Sequence, residues 1–173
     1  MFVLGVDPGL TRCGYCCLEV GRGATRAVAL GVIRTDPATP LPMRLAELHT
    51  EMTALIAETS PTVVALERVL FQVNVRTAMS VAQASGIVMA AAALSGAEVV
   101  EYSPNQVKET VAGHGAADKQ QVAQMVRTLL GLAAPPRPAD AADAAAIALC
   151  HAAHAPLRRA AARVPARPAA VRR

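Results

Sequence analysis

The chain has 173 residues, enough for one domain with a substantial core, and 53% of them are hydrophobic while only 2% are aromatic. Its net charge of +4 is unevenly placed: residues 157–173 hold six arginines and no acid, and without those six 11 basic residues face 13 acids, a formal −2 over residues 1–156. No basic segment precedes the first apolar run, and the longest uninterrupted one, residues 87–94, is far short of a bilayer span. A signal peptide and a membrane partner are thereby set aside, and a cytoplasmic protein is expected.

In chain order, residues 2–6 (FVLGV) are a short apolar run containing a glycine, the pattern of a buried strand with close backbone approach. Asp7 ends the run, and Pro8-Gly9 turns the chain away at once. RCGYCCLEV and TRAVALGVIRT read as two more strands joined by a glycine-rich hairpin connection, GRG. Residues 41–61 carry Leu45, Leu48, Met52, Leu55 and Ile56 at helical spacing, with Pro61 at the end. TVVALE is a fourth strand, apolar on both faces and therefore expected to be central. A long helix follows, with Asn74 as a possible cap, then a fifth strand, AEVVEYS. SPNQVKETVAG, DKQQVAQMVRTLLG and PADAADAAAIALCHAAHA complete the set as helices. Three strands, a helix and then alternating strands and helices predict an α/β domain with a mixed five-stranded sheet flanked by helices. The domain is expected over residues 1–156, with residues 157–173 a disordered basic tail that attracts phosphate.

Cys13, Cys16, Cys17 and Cys150 lack paired zinc spacing, and the C-x-x-C lies in a strand, so reduced structural cysteines are expected. His151 and His154 share a helical face without an evident third ligand and read as structural or solvated.

The acids are more informative. Asp7 and Glu67 each end a strand, and in open α/β sheets sites form at the carboxyl ends of adjacent central strands. Asp140 and Asp143, three apart in DAAD, share one face near the start of the last helix. Either feature alone is ordinary turn or capping chemistry. Four carboxylates in one crevice raise one another's pKa unless cations intervene, and oxygen-only ligation suits Mg²⁺, with Mn²⁺ as a substitute. Two such ions balance four negative charges and can clamp the attacking and leaving oxygens of a phosphoryl displacement, which is nuclease chemistry. Glu101, also near a strand end, competes for a place in this set.

GVDPGLTRCGY, ALERV, SPNQVKETVAGHGAADKQQVAQMVRTLLGL and ADAADAAAIALCHA closely resemble the RuvC family of Holliday-junction resolvases, in order and spacing, over residues 1–155. The resemblance implies a ribonuclease-H-like fold, a homodimer, a branch-migration motor as partner, and Mg²⁺-dependent, paired cutting of four-way DNA junctions. It also implies metal-binding roles for Asp7, Glu67, Asp140 and Asp143, and contacts from Lys108 and Lys119 to the junction backbone near the scissile phosphate. Phe71 falls in a segment expected to be an exposed loop, where an aromatic can stack on an unpaired base. Relatives place their aromatic one residue earlier, at Leu70 here, so either position is a candidate. Arg76 and Arg12 are further phosphate candidates.

Two readings from other classes compete with this one. An actin-like sugar or acetate kinase shares the strand-Asp-turn opening, but it needs a second similar domain that 173 residues do not supply. A non-catalytic DNA-binding module would find four aligned acids a liability.

Overall fold

The computed structural model describes residues 1–21, 23–68 and 75–162, with the side chains of residues 75–77 and 156–162 outside the description. Strands β1 (Phe2–Asp7), β2 (Arg12–Val20) and β3 (Thr25–Arg34) are followed by α1 (Leu41–Thr59), β4 (Val63–Glu67), α2 (Val75–Leu94) and β5 (Glu98–Tyr102). Helices α3 (Pro104–Ala112), α4 (Lys119–Leu129) and α5 (Ala139–Ala162) complete the order. The sheet runs β3-β2-β1-β4-β5, antiparallel from β3 to β1 and parallel from β1 through β4 to β5. This is the mixed five-stranded sheet expected from the sequence.

Because side chains alternate along a strand, the two faces of β1 and β4 feed two separate cores. Leu4, Val6, Val64 and Leu66 pack with Leu48, Met52 and Ile56 of α1 and with Ala84 and Val88 of α2. Val3, Val63 and Ala65 pack on the other side with Ala144, Ile147 and Ala148 of α5, and beyond these lie Val107 and Val111 of α3 and Val122 and Val126 of α4. The alternation carries straight on into the acids: Asp7 and Glu67 fall on the α5 face, with Gly5 and Ala65.

Helix α5 lies unusually low on the sheet. A methyl group on Gly5 would overlap the Ala144 carbonyl oxygen and stand 2.6 Å from the Ala148 nitrogen, and one on Gly14 would collide with the Asp140 carbonyl. The alanines facing the strands keep the helix slender enough for this approach. Ser103 and Asp118 start α3 and α4 with reciprocal capping boxes to Gln106 and Gln121, each worth about 1 kcal/mol.

The far end of α5 departs from expectation. The helix was expected to stop by residue 156, but it continues through Pro156 to Ala162, so the first residues of the expected disordered tail are helical. Pro156 is the stop signal in the sequence, and the leucine, arginines and alanines that follow it are good enough helix formers to carry the helix past it. Residues 163–173 lie outside the described residues.

Candidate active site

Register places the acids. Asp7 pairs with Gly14 across β1 and β2, and Asp140 at the start of α5 rests its backbone on that same Gly14. The β1–β4 pairing runs in register from Val3–Val63 to Val6–Leu66, which sets Glu67 beside Asp7 at the carboxyl edge of the sheet. Asp143 follows one turn of α5 after Asp140. Glu101 is excluded: it pairs with Leu66, on the face turned toward α1 and α2, and is exposed there.

The electrostatics bind the four into one group. Burial pushes Asp7 up from 3.8 to about 7, helped by the negative charges of Asp143, Glu67 and Asp140 and opposed by Lys119. Glu67 is also raised, first by burial and then by Asp143, with Lys119 and Lys108 pulling the other way. Asp143 accepts a 2.8 Å hydrogen bond from Lys119 Nζ, and Asp140 is ion-paired with Arg12. The bond to Asp143 raises Lys119 in turn. Among the described residues no three acid, histidine or cysteine side chains are already gathered about a common point. Two of the four carboxylates are held by cations of the chain itself. A donor set of carboxylate oxygens alone, in which burial and then the neighbouring acids push Asp7 up to about 7, fits hard divalent cations.

Lys119 is therefore in the site itself, and Lys108 is near enough to Glu67 to stabilise its charge. Arg12 stands beside Asp140. Leu70 and Phe71 lie outside the described residues, as does the side chain of Arg76 on the first turn of α2.

Two supports escaped sequence reasoning. Arg44 of α1 donates to Thr35 Oγ1 at 2.8 Å and to Thr11 Oγ1 at 2.7 Å, while Thr35 donates to the Leu10 carbonyl at 2.6 Å, so the turn after Asp7 is tied to α1. Gly14 is the seat of Asp140; its only signal was a glycine inside a strand, which marks close approach without naming the visitor. His151 and His154 are structural: His151 is buried with Nδ1 3.0 Å from the Tyr102 hydroxyl, and His154 Nδ1 lies 2.8 Å from the Cys150 carbonyl oxygen. All four cysteines are free and buried, and burial pushes Cys13 and Cys16 up to about 12, too high for redox or nucleophilic work at neutral pH.

An oxygen-only cluster of acids at the carboxyl edge of a ribonuclease-H-like sheet is the arrangement of a metal-dependent nuclease. The family model described as crossover junction endodeoxyribonuclease RuvC matches residues 3–151. A crossover junction endodeoxyribonuclease RuvC from Salinispora arenicola is 54% identical over 153 residues, 87% of each chain. Thermus thermophilus RuvC superposes with a TM-score of 0.85 at 40% identity, covering 91% of this chain and 97% of that one. A second structure, of T. thermophilus RuvC in complex with Holliday junction substrate, gives 0.86 at 40% identity, covering 91% and 96%. The chain belongs to the RuvC family, the crossover junction endodeoxyribonucleases.

Proposed function

We propose that this chain resolves four-way DNA junctions by hydrolysing phosphodiesters at the Asp7–Glu67–Asp140–Asp143 site. The observation that carries the reading is the electrostatic coupling of the four acids at one edge of the sheet, with Asp7 pushed up to about 7 by burial and by the other three. On this reading the four hold two divalent ions, Mg²⁺ with Mn²⁺ as a substitute. The chemistry these supply when bound is generation of the nucleophile at neutral pH and stabilisation of charge on the leaving oxygen. Asp7, which burial and the neighbouring acids keep protonated to about pH 7, would have to give up that proton to serve as a ligand. With Asp140 and Asp143 as ligands, Arg12 and Lys119 would be available to phosphate oxygens of the DNA beside Lys108. Arg44 keeps the turn after Asp7 in place throughout.

The substrate is carried over from the T. thermophilus RuvC complex with Holliday junction substrate. Cutting two opposed strands calls for two sites related by a two-fold axis, hence a homodimer. Helix α2 supports this: Ala84, Val88, Ala91 and Ala92 are buried, while the opposite side leaves Met79 58% and Leu94 83% exposed, with Gly86, Ala90 and Ala93 also open. Small residues between larger apolar ones permit close approach of a second copy. A branch-migration motor is the further partner this reading includes. Four buried, unpaired thiols fit a reducing cytoplasm, and among the described residues no helix is long and apolar enough to cross a membrane.

The test is Asp7→Asn with Mg²⁺ on labelled four-way junctions, duplex and RNA–DNA hybrid. Wild type should cut the junction in preference to the others. The variant should lose cleavage while binding the junction as well or slightly better, since one negative charge near the phosphate is gone. Full Mg²⁺-dependent cleavage by the variant would overturn the assignment.

A further inference from the structure

Beside the four acids a cleft of about 730 Å³ opens between the start of α4 and the 133–138 loop. Lys119, Gln120 and Gln124 line one side, Pro136 and Arg137 the other, and Asp143 belongs to its lining as well. The space is of ligand-pocket size and continuous with the site, since Lys119 and Asp143 belong to both. Its chemistry is mixed in a particular way. The one carboxylate is already bonded to Lys119, whereas Arg137 is exposed and takes part in none of the ion pairs formed among the described residues. Gln120 and Gln124 are four apart, on one exposed face of α4, and present amides that both donate and accept. Pro135, Pro136 and Pro138 restrict the backbone on both sides of Arg137, so little backbone entropy is left to lose when this loop meets a ligand.

We propose that this cleft receives the nucleotide adjoining the scissile phosphate on the cleaved strand, with Arg137 on the next phosphate along and the two glutamines facing the base. The proposal rests on the nuclease reading of the acid site and extends it outward along one strand. A guanidinium fork suits phosphate, amides suit a base edge, and proline rings offer an apolar wall to a flat base. The charge pattern favours such an occupant over an apolar or cationic one. Residues 1–156 are net negative, yet Arg12, Lys108, Lys119 and Arg137, four of their 11 basic residues, are gathered around the acids and this cleft.

The experiment compares Asp7→Asn with Asp7→Asn/Arg137→Gln, binding a set of junctions in Mg²⁺. Each junction carries one neutral methylphosphonate, stepped along the strand on both sides of the cut. Arg137→Gln should weaken binding of the unmodified junction roughly three- to tenfold and flatten the slope of log affinity against log salt by about 0.7–0.9. One flanking methylphosphonate should weaken the single variant by a similar factor and cost the double variant nothing more. Arg137 is exposed, so circular dichroism should be unchanged. Equal affinity and slope in the two proteins, or the same loss at every methylphosphonate position in both, would overturn the proposal. Should Asp7→Asn itself still cut, the reading of the acids fails instead, and the two failures are told apart in one set of lanes.

Discussion

Asp7 ionises near 3.8 in an unfolded chain but only near 7 in the fold, because burial and the charges of Asp143, Glu67 and Asp140 all oppose its anion. An acid with a raised folded pKa holds more protons folded than unfolded between those values, so stability falls as pH rises. Its favourable contribution is complete below about pH 4 and gone above about pH 7, and the raised Glu67 acts in the same direction. Chelated protein should therefore melt several degrees lower at pH 8 than at pH 5, and that drop should shrink in Asp7→Asn. Added Mg²⁺ should recover more at pH 8 than at pH 5, since it binds the ionised acids. Differential scanning fluorimetry over pH 5–8 measures both, and an equal drop in wild type and Asp7→Asn would contradict the account. The placement of the four acids, whose shared role remains the proposal, was legible in the sequence, two at strand ends and two at helical spacing. The ion pair of Arg12 with Asp140 was not, because 128 residues separate the partners and no local pattern links them.

Helix α5 sets the position of half the site by how low it sits on β1 and β2. Gly14→Ala would drive a methyl group into the Asp140 carbonyl, so the first turn of α5 must lift. A loss of roughly 1–3 kcal/mol is expected, the usual range for overpacking. Single-turnover cleavage should fall tenfold or more, as displaced groups lose alignment. Gly23→Ala is the control, since a methyl group there meets nothing within 4 Å and both quantities should stay put. Unchanged cleavage in a folded Gly14→Ala protein would remove this role. The element order, the hairpin of β2 and β3 and the mixed sheet were readable from apolar runs and turn residues, whereas the pairing of β1 with β2 and β4 was not, because it joins segments with no local pattern between them. The burial of α5 was harder, because a helix of alanines shows no strong apolar stripe, and its end was read early because Pro156 looks like a stop. The β5 register settled Glu101, whose face could not be told from a strand end alone.

Across the whole molecule, the reading depends on two copies acting together. Ala90→Arg on the exposed side of α2 should leave the fold intact, give a monomeric mass by light scattering at micromolar concentration, and replace paired cutting by single nicks. A dimeric mass with paired cuts would show that α2 is not the contact. Along the chain the acids come from widely separated segments: β1 and β4 contribute two, and the last helix the other two. That layout has a consequence in time. On the ribosome the sheet strands and α1 emerge first, while Asp140 and Asp143 are still to be made, a delay on the order of several seconds at ~5–20 residues per second. Until α5 docks over Gly5 and Gly14 the acid set is incomplete, so on the proposed reading a nascent chain, or one ended early by a stop codon, would have no means of cutting DNA.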